Sequence, residues 1–98
     1  MFEIRKTPEF DSWLKKLKDS SVKARIASRI YRLENGLMGD VKPVGSGISE
    51  LRIHLGSGFR IYFKQVGDQI ILLLCGGDKS TQQKDINKAR ELAEYWNN

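Results

Sequence analysis

Cysteine occurs once in these 98 residues, histidine once and proline twice. A lone cysteine excludes an intramolecular disulfide and the cysteine-rich zinc sites; at the end of an apolar run, Cys75 reads as a small hydrophobe. No apolar run reaches the roughly eighteen residues needed to cross a bilayer. The N-terminus lacks the charged, apolar and small-residue pattern of a secretory signal. A soluble, cytoplasmic protein without membrane association is therefore expected. GxGxxG is absent, and Gly56-Ser57-Gly58 joins two strand-like runs rather than opening a helix, so the dinucleotide-binding signature is missing. No spacing of His with carboxylates suggests a metal site, and no cofactor is expected. A Cys75 and His54 nucleophile pair would need an activated thiol, for which the sequence gives no sign.

What is present in quantity is positive charge. Seventeen Lys and Arg stand against twelve Asp and Glu, a formal charge of +5, which suits an acidic partner such as nucleic acid or an acidic protein segment. The length fits one domain spanning residues 1–98, with room for one active surface. Phe2 to Lys6 alternates as a short strand. Thr7 and Pro8 then read as N-cap and first residue of a helix carrying Phe10, Trp13, Leu14 and Leu17 on one stripe. Ser20 and Ser21 can cap a second helix, with Val22, Ile26, Ile30, Leu33 and Leu37 on its buried face and Lys23, Arg25, Arg29 and Arg32 largely off it. Those four are either an ordinary solvated face or an extension of a surface for RNA. Gly39 to Gly47, with Pro43, reads as loop or short edge strand. A last helix is expected from a capping box of Ser80 and Gln83, with Ile86, Ala89, Ala93 and Trp96 as its stripe and Trp96 as a core anchor.

Between these helices lies a predicted meander of three strands, from Ile48 to Lys79. Alternation sends Leu51, Ile53, Leu55, Phe59, Ile61 and Phe63 to one face and Glu50, Arg52, His54, Arg60 and Tyr62 to the other. A three-residue turn at Gly56 to Gly58 would pair Leu55 with Phe59, His54 with Arg60 and Arg52 with Tyr62; a two-residue turn at Gly67-Asp68 would pair Phe63 with Leu72 and Arg60 with Cys75. Ile70 to Cys75 is apolar throughout, as in a strand covered on both faces. In that register Lys79 emerges beside His54 and Arg60. Such a rim suits phosphodiester chemistry: Arg52 and Arg60 match phosphate oxygens, His54 can move a proton near neutral pH, Tyr62 can orient a hydroxyl or stack on a base, and Lys79 can hold the phosphate or assist the leaving oxygen. Lys84, Lys64, Arg29 and Arg32 are candidates for further RNA or phosphate contacts. The quieter alternatives are a half-exposed sheet face, a cross-strand pair of Glu50 with Lys64, and a Tyr62 packed beneath the last helix.

Three segments together, Ser49-Glu50-Leu51-Arg52-Ile53, Gly58-Phe59-Arg60-Ile61-Tyr62-Phe63 and Leu72-Leu73-Leu74-Cys75-Gly76-Gly77-Asp78-Lys79-Ser80, make the whole chain resemble the RelE/HigB-like toxins of type II toxin–antitoxin modules, in particular the phage-derived Gp49-like, or addiction module killer, branch. The resemblance implies an α+β fold in the order β-α-α-β-β-β-α, with a twisted, mainly antiparallel sheet, a helical hairpin on one face and a C-terminal helix. It also implies an mRNA endoribonuclease acting on the ribosome without a metal and inhibiting translation. Its expected partners are mRNA on the ribosome and a cognate helix-turn-helix antitoxin in a higher-order complex, the toxin alone being monomeric. The family's catalytic positions carry over to Arg52, Arg60 and Lys79, and less directly to His54 and Tyr62. The chain departs from some relatives in having Gln82, Gln83 and Lys84 where they carry a tyrosine. The rival reading is a basic module that binds nucleic acid or regulates a partner without catalysis.

Overall fold

The structure is a computed structural model describing residues 1–96. A five-stranded sheet has the order β1-β5-β4-β3-β2, formed by β1 (Glu3–Lys6), β2 (Val41–Gly45), β3 (Ile48–Ile53), β4 (Phe59–Val66) and β5 (Ile70–Asp78). Among the described residues only β1 pairs in parallel, against β5. Helices α1 (Pro8–Lys16) and α2 (Ser20–Glu34) cover one face, and α3 (Gln82–Trp96), entered through a 3₁₀ turn at Lys79–Thr81, covers the other. The expected element order holds, with the edge segment before Gly47 forming β2, a fifth strand that carries Pro43. Among the described residues no helix is long and apolar enough to cross a membrane.

Alternation places the apolar side chains as expected. Leu51, Ile53, Ile61 and Phe63 pack with Phe10, Val22, Ile26 and Leu33 of the helical hairpin, while Ile48, Tyr62, Leu72 and Leu74 pack with Ile86, Ala89, Leu92 and Ala93 of α3. Thr7 caps α1 as its sequence implies, its hydroxyl oxygen accepting from Phe10 N at 3.0 Å. Caps and stripe ends differ elsewhere. Asp19, not Ser20 or Ser21, caps α2, accepting from the amides of Ser21 and Val22, because an ionised carboxylate satisfies the orphan amides better than a hydroxyl. Asn35 and Gly36 end α2, with Gly36 at φ 81° and Leu37 N bonded back to Arg32 O at 2.8 Å. That turn swings Leu37 off the stripe and leaves it exposed. Asp78 replaces the expected capping box of Ser80 and Gln83, accepting from Ser80 N at 2.8 Å. Trp96 is not a core anchor: Leu92 fills the stripe and Trp96 stays 47 % exposed, edge-on to Tyr95.

Both predicted turns are longer than drawn, and the registers move with them. Ile53 pairs with Phe59, Arg52 with Arg60 and Glu50 with Tyr62, because His54 to Gly58 forms the connection, folded by Gly58 N donating to Leu55 O. The shift is two residues, so every side chain keeps its face. Gly67, Asp68 and Gln69 make the second turn, pairing Val66 with Ile70 and Phe63 with Leu73. Beyond Phe63 the register slips again, Tyr62 facing Cys75, which leaves Leu74 as an extra, bulged residue. Its carbonyl accepts from the buried Thr7 hydroxyl at 2.5 Å. The bulge puts Leu74 and Cys75 both against α3 and sets Arg60 opposite Gly77 rather than Cys75.

Candidate functional site

Exposure along one face of β3 locates the site. The side chain is 1 % exposed at Glu50, 35 % at Arg52 and 75 % at His54, as the strand runs out from beneath the start of α3. On β4, Tyr62 is fully buried, whereas Arg60 reaches the opening with its side chain 12 % exposed. Arg52, His54, Arg60 and Lys79, together with the Leu55–Phe59 connection, line a groove of about 530 Å³. Lys79 is delivered there by its backbone amide, which donates to Gly58 O at 3.1 Å. Gly58 adopts φ 85°, a left-handed conformation that glycine takes without strain, and this shapes the turn against which Arg60 and Lys79 lie. A wider cleft of about 860 Å³ at Pro8, Leu92 and Trp96 presents Glu9 and Glu91 and no cation, and is unsuited to phosphate.

Arg60 is held from below. Glu50 Oε2 accepts from Tyr62 Oη at 3.0 Å and from Gln82 Nε2 at 2.8 Å, and lies 3.5 Å from Arg60 Nε. The last distance serves ion pairing but is poorly aligned for a hydrogen bond, and Arg60 Nε and Glu50 Oε1 are buried without hydrogen-bond partners among the described residues. Burial, reinforced by Glu50, raises the Tyr62 phenol well above its ordinary range. Tyr62 therefore does not reach the groove: it packs beneath α3, and its hydroxyl is engaged by Glu50. The expected pair of Glu50 with Lys64 is likewise replaced, since Lys64 lies opposite Ile48.

His54 and Arg52 share a partner absent from the sequence reading. Asp40 Oδ2 is 2.5 Å from His54 Nε2, and Asp40 Oδ1 is 3.2 Å from Arg52 Nη2. The hydrogen bond from His54, aided by Arg52, holds the Asp40 carboxyl below the usual carboxylate range. Continuing the β2–β3 pairing of Val41 with Leu51 by one residue sets Asp40 against Arg52, a register that strand type alone does not fix. Arg29 is turned inward and is not a free RNA contact: it donates to Arg52 O at 2.8 Å and to Met38 O at 3.4 Å, its charge disfavoured chiefly by burial. Arg32 and Lys84 are exposed on α2 and α3, and neither lines the groove; nor does Lys64. Cys75 is buried, its thiol pushed up to about 12 by desolvation and Asp85, as suits a packing residue.

The sequence profile of the family described as phage derived protein Gp49-like (DUF891) matches residues 12–94. The chain belongs to the Gp49-like family. It is 53 % identical over 92 residues to an uncharacterized protein of Haemophilus influenzae, covering 94 % of this chain and 93 % of that one. Its fold is that of the RelE toxins. Escherichia coli toxin RelE in the free state, a mutant with two arginines replaced by alanine, superposes with a TM-score of 0.72 at 14 % identity, covering 92 % of this chain and 95 % of RelE. A chain of the intact E. coli RelBE toxin–antitoxin complex gives 0.65 at 15 % identity, covering 80 % of this chain and 96 % of that one, and a chain of the Mycobacterium tuberculosis toxin–antitoxin complex RelBE2 gives 0.64 at 17 %, covering 80 % and 98 %. In this Gp49-like chain the cationic groove lies where the end of β3, the start of β4 and the 3₁₀ turn before α3 meet.

Proposed function

We propose that this Gp49-like protein is the toxin of a toxin–antitoxin module and an endoribonuclease that cuts mRNA on the ribosome, acting in the cytoplasm as one domain of residues 1–98. The observation that carries the reading is the convergence of Arg52, Arg60, Lys79 and His54 on one groove. Three fixed cations around a pocket can neutralise the charge that builds on phosphorus in a phosphodiester transition state. RNA supplies its own nucleophile, the 2′-hydroxyl. The 2′-oxygen bonds to phosphorus as its proton leaves, the bond from phosphorus to the 5′-oxygen breaks, and that oxygen takes a proton from the Lys79 ammonium. A 2′,3′-cyclic phosphate and a 5′-hydroxyl result. Arg52 and Arg60 grip the non-bridging oxygens, Arg60 being braced by Glu50. The cognate partner is an antitoxin with a helix-turn-helix domain, and the toxin alone is monomeric.

Mapping RNA 5′ ends after induction, and again with purified ribosomes, tests this directly. Cleavage that depends on translation, and that is lost when Arg52 and Arg60 are both replaced by alanine in a folded protein, is the expected outcome. Growth arrest without new 5′ ends would instead identify a non-catalytic basic module, and full cleavage by the double variant would remove the groove from the chemistry.

A further inference from the structure

Asp40 stands on a short segment between α2 and β2, yet its position is fixed from several sides. Arg52 N donates to Asp40 O at 2.9 Å. Arg29 ties the carbonyls of Met38 and Arg52 together. Gly39, at φ 70°, passes so close beneath that guanidinium that a Cβ on it would stand 2.7 Å from Arg29 Nη2. The carboxylate is thereby held against β3, with one oxygen on Arg52 and the other on His54 Nε2. An exposed ion pair of this kind contributes little to stability, so this degree of fixation is better matched to orientation than to folding. Because Nε2 is engaged, the neutral ring carries its hydrogen there and leaves the lone pair on Nδ1 free.

We infer that Asp40 and His54 form the proton-accepting pair of the site, with His54 as the catalytic residue that takes the 2′-hydroxyl proton at Nδ1 and Asp40 as the positioning residue that orients the ring and stabilises the imidazolium. The inference rests on the ribonuclease reading. As the 2′-oxygen forms its bond to phosphorus, its proton passes to Nδ1, and the positive charge gained by the ring faces the Asp40 carboxylate across the Nε2 hydrogen bond. Arg52 is bound to the same carboxylate, and Arg60 and Lys79 share the groove.

His54 is the only histidine in the chain, so its ring can be followed by ¹⁵N and ¹H nuclear magnetic resonance without ambiguity. The free protein is expected to show a strongly downfield, slowly exchanging Nε2 proton that disappears in Asp40→Ala. In single-turnover cleavage on ribosomes, His54→Ala and Asp40→Ala are each expected to lower the rate about 100-fold, with the half-saturating ribosome concentration within about threefold. Asp40→Ala added to His54→Ala should cause no further loss, because two groups acting as one unit are not additive. Asp40→Asn, which keeps the size and one acceptor oxygen, should fall between wild type and Asp40→Ala and guards against a folding artefact. Additive losses, or a wild-type ring without the Nε2 proton, overturn the pairing while leaving the ribonuclease reading intact. No cleavage by the unaltered protein overturns the ribonuclease reading and this inference with it.

Discussion

Tyr62 lies on the same face as Arg52 and Arg60, and its hydroxyl donates to a carboxylate that also braces Arg60. Its burial makes its contribution structural. Tyr62→Phe should cost about 1 kcal/mol in urea unfolding, the net worth of one hydrogen bond, and should leave the cleavage rate within about threefold. A loss of several orders of magnitude in a folded Tyr62→Phe protein would return the phenol to the chemistry. Glu50 is the more demanding residue. Its replacement by alanine leaves the Tyr62 hydroxyl, Gln82 and the Arg60 charge without their shared acceptor, so a loss of about 3 kcal/mol is expected, as for breaking a buried ion pair from one side. Chemical denaturation at neutral pH measures it. At the residue scale, Arg52, Arg60, Lys79 and His54 were legible as groove residues because period-two alternation and a basic exit loop suffice to group them. Asp40 was not, since its partners lie 12 and 14 positions away and only the pairing of an edge strand containing Pro43 brings them together.

Strand β5 carries, just before its last residue, two glycines that serve different neighbours. A Cβ at Gly76 would stand 2.4 Å from the Trp13 ring of α1, and one at Gly77 would stand 1.8 Å from Asp85 Oδ2 of α3. Close approach, not backbone freedom, is what requires glycine here, because no positive φ is involved at either position. Gly76→Ala should therefore destabilise by about 2 kcal/mol through overpacking, a midpoint shift that an unfolding curve reads directly. Asp78 follows at once and caps the turn that carries Lys79, its carboxyl held below the usual range first by the Ser80 hydroxyl and then by the Ser80 amide. A depressed folded pKa contributes stability above the unfolded value of about 3.9, and that contribution is lost as pH falls through the lower folded value. Asp78→Ala should thus cost up to about 1 kcal/mol at pH 7, and the gap between the two proteins should close on acidification below about pH 4; a gap unchanged at acid pH would exclude the ionised cap. These particulars show where sequence reading stopped. Element types and faces followed from periodicity, but the turn at Gly67 took three residues and Leu74 bulged, and no local pattern announces a bulge whose freed carbonyl is satisfied by Thr7, 67 positions away.

Across the whole molecule, both faces of the sheet are covered by helices, and the charged face emerges only where β3 runs out from under α3. A formal charge of +5 would by itself attract RNA over much of the surface; what separates a site from general attraction is how many phosphates the groove itself neutralises. Each contact to single-stranded RNA contributes about 0.7 to the slope of log affinity against log salt concentration. If Arg52, Arg60 and Lys79 each meet one phosphate, an uncleavable 2′-deoxy oligonucleotide should bind with a slope of about −2, falling to about −0.7 when both arginines are replaced by alanine. Fluorescence anisotropy over a salt series measures both values. Arg32 and Lys84, exposed on α2 and α3 and off the groove, provide the control: replacing them should leave the slope unchanged for a short oligonucleotide and lower it only for one long enough to reach past the groove. An equal drop in slope from either pair of substitutions with the short oligonucleotide would mean that the basic surface, rather than the groove, binds the RNA.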